Sequence, residues 1–280
     1  MNKKIKLSLA LCLPVLLGTA WSAQADTLSD ISSRGQLNCG VYADVPPFSA
    51  PDPETRKLSG MDVDLCRALA KQMGVEANLM PVSVEARIAV LTTGRVDVLI
   101  ANLAYTKSRA KQIQFSDPYY VAKEVLVVKP ANADKTRADF KGKRLSSTKG
   151  STSEQSIRLA HARPVTFQDT ASAYLALQQN KSVGFVTNGM TALQLVNRAK
   201  ADGIDLAIMK EPMALEPVAV GMKKGDEALL TKVNESLVAM EKEGEIDAIW
   251  DRWLGPKTEY KMVREEKVQP LSALDFEPLE

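Results

Sequence analysis

The stretch 96–101, Val-Asp-Val-Leu-Ile-Ala, most limits what this chain can fold into. It is apolar at nearly every position, so as a strand it needs cover on both faces. That is the condition of a parallel sheet held between helices. The flanking sequence supplies the other parts. Residues 36–42 read as a strand with Leu37, Cys39 and Val41 on one side. Met61, Leu65, Leu69 and Met73 recur every four residues beside Cys66 and Ala70, the spacing of a helix with one apolar face. Gly74 is placed to end that helix in a left-handed cap. Residues 77–82 read as extended, and 85–93 as helical, with Ile88 and Leu91 inward and Gly94 as the stop. Strand and helix alternating in this way build α/β layers.

The pattern then restarts. Residues 125–129 are extended, 134–143 polar, 145–148 a strand, 153–162 a helix, 171–179 a helix, 183–187 a strand, 191–199 a helix and 204–209 a strand. A further strand is expected at 217–222. Leu230, Val233, Leu237 and Met240 mark a helix, and Ile246, Ile249, Trp250 and Trp253 mark another. These last helices need a sheet to cover, and the first unit is the natural one. The chain therefore crosses twice between units, near 124–129 and 215–220. The expected division is 26–125 plus 218–254 for the first lobe and 126–217 for the second. A polar, proline-bearing tail, 255–280, is expected to pack on the surface.

The N-terminus has a charged start with Lys3, Lys4 and Lys6, an apolar run from Leu7 to Ala20, and small residues at Ala23 and Ala25. That order is a secretory signal, with cleavage expected after Ala25 and delivery to the periplasm. Removing it takes three lysines and no acids, so the balance falls from 36 basic against 34 acidic residues to 33 against 34. No basic stripe is left to bind nucleic acid. Cys12 falls within the leader, leaving Cys39 and Cys66. In an oxidising compartment they could pair, but two buried thiols are at least as good a reading. Two cysteines and one histidine, His161, do not make a zinc site. His161 reads as a solvated surface residue, and neither a cofactor nor a metal is expected.

Two segments carry candidate chemistry. Thr106-Lys107-Ser108-Arg109 follows the buried strand and opens a short helix, with Thr106 as the N-cap. Arg109 then lies in the first turn, where an arginine fork can grip a carboxylate, or it is simply a solvated arginine. Gly150-Ser151-Thr152-Ser153-Glu154 also follows a strand. Ser151 with Glu154 fits a capping box, and Thr148, Ser151 and Thr152 are placed to face the first lobe. An ordinary capped helix start is the plain alternative.

Taken in order, Gly40-Val41 with Pro46-Pro47-Phe48, Gly60-Met61-Asp62-Val63-Asp64-Leu65, Arg87-Ile88 with Leu91 and Gly94, and Thr106–Arg109 with Phe115-Ser116-Asp117-Pro118-Tyr119 form a string of motifs. That string resembles the bacterial family 3 solute-binding proteins, periplasmic receptors of polar amino-acid ABC transporters, from about Leu37 to Leu254. The resemblance implies a type II periplasmic binding protein fold, two α/β lobes joined by two hinge crossings. It also implies capture of one amino acid or related small carboxylate between closing lobes, and delivery to a membrane permease by a monomer.

Carried over by position, Arg109 is implied to hold the ligand's carboxylate. Asn102 and Ala104 would meet the ligand at a strand end, and Thr148, Ser151 and Thr152 would meet it from the second lobe. Tyr42, Val45, Phe48 and Val84 fill wall positions. Arg87 reads as structural more than ligand-touching. Two departures stand out. Ala104 replaces a frequent hydroxyl residue. Asn188 replaces the usual aspartate for the ligand's ammonium, so it can accept a hydrogen bond but brings no charge. Asp169 or Asp44 are the expected compensation. The other function class is an enzyme on the same scaffold, a dehydratase of prephenate-like acids. Glu85 is its nearest acid or base, and no matched pair is evident.

Overall fold

The computed structural model describes residues 27–280. The expected leader, its cut after Ala25 and Cys12 lie outside the described residues. Helix α1 (Thr27–Arg34) leads into β1 (Gln36–Tyr42), a short β2–β3 pair (Ala50–Pro51 and Leu58–Ser59) and α2 (Met61–Gln72). Then come β4 (Glu76–Val82), α3 (Arg87–Thr92), β5 (Val98–Leu99), α4 (Lys107–Ala110), β6 (Ile113–Phe115) and β7 (Tyr120–Val128). The next elements are β8 (Arg144–Thr148), α5 (Thr152–Leu159), β9 (Arg163–Phe167), α6 (Thr170–Gln178), β10 (Gly184–Asn188) and α7 (Gly189–Ala201). The chain closes with β11 (Ala207–Ile208), β12 (Ala214–Val218), β13 (Gly221–Lys223), α8 (Glu227–Lys242) and α9 (Glu245–Trp253).

These strands form two main sheets. One runs in the order β4-β1-β5-β13-β6; the other runs β11-β7-β10-β8-β9, with β12 also on β7. Parallel pairs lie inside each: β1 with β4 and β5, and β8 with β9 and β10. Each sheet is covered on both faces by apolar clusters. In the first, α2, α8 and α9 cover one face and α3 the other. This is the two-lobed α/β architecture expected.

Three local differences have physical causes. Of the run 96–101 only Val98 and Leu99 pair as a strand, although the whole run is buried. Asp97 turns its carboxylate to accept the Asn38 N–H at 2.7 Å and an Arg34 N–H at 2.5 Å. The expected strand 217–222 is two strands in different sheets, because the chain passes from one sheet to the other at Ala219 and Val220. β9 carries Arg163 and Pro164 at its start, which weakens its signal; it lies at the sheet's edge, where proline is tolerated.

The two crossings form one ribbon. Residues 120–124 of β7 pair antiparallel with 214–218 of β12, and residues 124–128 of the same β7 pair with β10. Tyr119, Tyr120 and Ala122 belong to the first lobe's core, whereas Val125 and Leu126 belong to the second lobe's. The tail beyond α9 is pinned by Arg264. Its buried guanidinium donates to the Tyr119 carbonyl at 2.8 Å and pairs with Glu241 at 2.6 Å and Asp247 at 2.9 Å. The tail ends against both lobes, where Ser108 and Gln155 each donate to the Glu280 carbonyl oxygen.

Cys39 and Cys66 are joined, which corrects the preference for free thiols. Packing α2 flat on β1 brings their Cα atoms to 6.3 Å, within reach of a bridge. The bond closes a 27-residue separation. We expect a Cys39→Ala/Cys66→Ala double variant to lose about 3 kcal/mol of stability in urea denaturation. An unchanged midpoint would show that the bond constrains little.

Candidate functional site

Between the sheets, beside the ribbon, lies a small cavity of about 40 Å³. From the first lobe, Tyr42, Val45, Phe48, Val84, Arg87 and Asn102 reach it. From the second lobe come Thr148, Ser151, Thr152, Thr170, Asn188 and Thr191, and from the ribbon Glu124 and Glu216. Of the twelve positions carried over from the resemblance, ten line this cavity.

On the first-lobe side, Arg87 stands in the first turn of α3, nearly inaccessible to solvent. Its Nη1 donates to the Tyr42 hydroxyl and to the Ala101 carbonyl at 2.9 Å, while its Nε has no partner. The guanidinium carbon also lies 5.4 Å from the centre of the Tyr42 ring, a cation–π distance. Asn102 adopts φ +41°, a conformation Asn tolerates better than most residues. It is held by its N–H donating to Asp62 at 2.9 Å and by the Tyr120 hydroxyl donating to its side-chain oxygen.

On the second-lobe side, Ser151 caps α5. Its oxygen accepts the Glu154 N–H at 3.4 Å, and its hydroxyl donates to the Thr148 carbonyl at 2.6 Å. Glu154 pairs with Arg158 at 2.7 Å, so only half of the expected capping box is made. Gly150 has φ +74°, and a Cβ there would stand 3.0 Å from the Glu85 Cα in the other lobe. A side chain there would press the Glu85 backbone back by a few tenths of an ångström and would hold a strained positive φ.

Arg109 and Ala104 do not line this cavity. Thr106 caps the helix start by accepting the Arg109 N–H at 3.1 Å. The buried guanidinium then donates to the Ala104 carbonyl at 2.8 Å and to the Gly150 carbonyl at 3.3 Å. Arg109 therefore links the two lobes, and these contacts use two of its five N–H donors. Burial, then the charge of Arg87, push its pKa down to about 9.

The acids named from sequence lie elsewhere. Glu85 pairs across the lobes with Lys149 at 2.7 Å and is half exposed. Asp169 accepts the Ser172 N–H at 2.7 Å as the cap of α6, and Asp44 is exposed. Asn188 spends its side-chain oxygen on the Met190 N–H at 2.9 Å. Its Nδ2 has no partner, so its free side-chain atom is a donor and not the acceptor expected of it.

Sequence reasoning missed the matched pair of carboxylates, Glu124 and Glu216. Both are 3% exposed. The Ser153 hydroxyl donates to Glu124, and Thr152 hydrogen-bonds Glu216, whose other oxygen has no partner. Burial pushes Glu216 up to about 7. Burial, and then repulsion from Glu216, hold Glu124 well above the usual carboxylate range. Asp62, behind the wall, is raised by burial to about 8. The available signal was a single acid in each crossing segment, Tyr-Val-Ala-Lys-Glu-Val-Leu and Ala-Leu-Glu-Pro-Val, each mostly apolar.

Two covered sheets, a double crossing and a polar cavity enclosed at the junction define a two-lobed receptor of the type II periplasmic binding protein fold. Residues 37–256 match the bacterial extracellular solute-binding proteins, family 3, and the chain belongs to that family. The L-cystine-binding protein TcyJ of Escherichia coli (strain K12) is 30% identical over 237 residues, covering 83% of this chain and 88% of that protein. An ancestral arginine-binding protein, solved with arginine, aligns with TM-score 0.72 and 36% identity over 79% of this chain and 99% of its own. An ancestral amino acid-binding protein, a precursor of cyclohexadienyl dehydratase, aligns with TM-score 0.73 and 33% identity over 82% of this chain and 100% of its own.

Glu216 holds its proton to about pH 7 when folded, against an ordinary value of 4.5. Between those values the folded chain binds a proton the unfolded chain has lost, so stability falls as pH rises through that window. We expect Glu216→Gln to flatten part of that slope and to raise the melting temperature of the ligand-free protein most above about pH 7. Parallel melting curves for the two proteins across pH would count against this.

Proposed function

We propose that this chain is the periplasmic substrate-binding component of an amino-acid ABC transporter. It captures one amino acid between its lobes and presents the closed form to a membrane permease. The observation that carries this reading is the polar cavity at the lobe junction, lined from both lobes and the ribbon by Arg87, Asn188, Thr191 and Glu216, each with an unpartnered polar atom. Such groups are costly to bury unless a ligand meets them. A ligand that touches both lobes binds the closed state better than the open one, and closing is its consequence.

The carboxylate end of the ligand is assigned to Arg87, whose Nε is unpartnered, with Arg109 behind it joining the lobes. Family membership and the amino-acid-binding relatives support capture without turnover. Secretion through the expected leader, with cleavage after Ala25, fits this role. No helix among the described residues is long and apolar enough to cross a membrane.

Calorimetry and thermal shift against the standard L-amino acids, L-cystine and small carboxylates test the reading. Binding of an amino acid with no product formed supports it, and turnover of any panel member overturns it. We expect Arg109→Ala to weaken that binding by roughly 1.5–3 kcal/mol, since it removes the buried hydrogen bond to the Gly150 carbonyl that links the lobes beside the cavity. An unchanged dissociation constant would show that this link does not contribute to binding. Gly150→Ala should also weaken binding, because its Cβ presses on the Glu85 backbone and the position holds φ +74°. An unchanged dissociation constant would show that this close approach does not matter to binding.

A further inference from the structure

We infer that Glu124 and Glu216, on the ribbon that joins the lobes, form the subsite for the ligand's cationic group. This rests on the reading of the chain as an amino-acid receptor and assigns the end of the ligand that the second lobe leaves unserved.

An amino acid brings an ammonium into the cavity, and a buried ammonium without a negative partner is heavily penalised. Position 188 cannot supply that partner. Its oxygen is committed to the Met190 N–H at 2.9 Å and its free atom is a donor. Asp169 is committed to Ser172, and Asp44 is exposed. Asp62 accepts the Asn102 N–H and does not reach the cavity wall.

The ribbon carboxylates meet the requirements. The register places Glu124 opposite Ala214 and Glu216 opposite Ala122. The two acids are therefore diagonal neighbours on one face of the ribbon, the geometry in which side chains of paired strands interact. Both line the cavity. Among the described residues neither takes part in an ion pair. One oxygen of Glu216 has no partner at all.

The charges facing the pair from other elements are Arg109 on α4 and Arg87 on α3, both favouring ionisation. Tyr42 on β1 lies in the same field, as does the raised Asp62 on α2. Without a cation between them, burial and mutual repulsion keep the two carboxylates short of full ionisation. A ligand ammonium reverses both effects, so binding draws the pair into its charged form and releases protons.

The experiment uses the mature protein, purified free of ligand, and calorimetry against the standard L-amino acids, L-ornithine and L-cystine. For whichever of these binds, Glu216→Gln and Glu124→Gln are each expected to weaken binding by at least about tenfold, with Asn188→Ala changing it less. Wild-type binding at about pH 7 is expected to release protons, seen as heats that differ between buffers of different ionisation enthalpy, and to weaken toward about pH 5.5. Glu216→Gln should reduce both signals. Equal loss for L-glutamine and L-arginine assigns the α-ammonium to the pair, and loss for L-arginine alone assigns the side-chain cation; either supports the subsite.

If the wild type binds an amino acid while both glutamine variants bind within about twofold of it and no protons are released, the subsite is wrong and the receptor reading stands. Absence of binding by the wild type to every amino acid overturns the receptor reading and the subsite together. The proton-release measurement needs only the wild type, so a variant that fails to fold does not shield the inference.

Discussion

The antiparallel pairing of residues 120–124 with 214–218 is the constraint on which this molecule is organised. Each sheet has its own covering helices and its own core, so either lobe could satisfy its backbone without the other. Their junction is a single ribbon in which β7 pairs with β12 over its first half and with β10 over its second. Backbone hydrogen bonds fix the ribbon's register, and the register fixes which side chains face the space between the lobes.

The energetics of the cavity follow from that arrangement. Two arginines and two glutamates lie in or beside one small space without forming a direct ion pair among themselves. Each is shielded by neutral groups: Arg87 by a tyrosine hydroxyl and a carbonyl, Arg109 by two carbonyls, Glu124 by a serine hydroxyl and Glu216 by Thr152. Buried charges kept apart are a cost to the free protein, visible as the upward shift of Glu216 and the downward shift of Arg109. A stability-optimised core would not retain them. Their arrangement makes sense for a surface that a zwitterion completes, with its own opposite charges taking the places of the missing partners.

Contacts between the lobes show the same economy. The positive φ of Gly150 and the absence of a side chain there bring the second lobe's backbone against Glu85. Arg109 reaches across to the Gly150 carbonyl, and Lys149 reaches Glu85. The surface pair Lys149–Glu85 is half exposed and adds little by itself. The buried arginine, held at its base by the Thr106 cap, is the contact that ties site closure to local helix geometry.

Much of this was legible in the chain. Apolar runs and four-residue spacings located both α/β units, because burial of one face or two leaves a periodic trace whatever the partner. The caps at Thr106 and Ser151 were legible because capping is local. Ten of the twelve positions carried over from the resemblance line one cavity. What the sequence could not determine was pairing. Cys39 and Cys66 become a bond only because α2 packs directly on β1. Asn188 offers a donor only because the start of α7 claims its oxygen. Glu124 and Glu216, distant in sequence and each the single acid of its strand, become one subsite only through the register of the ribbon. Periodicity records which way a side chain faces; which groups it meets there depends on contacts between segments far apart in the chain, and those only the tertiary structure decides.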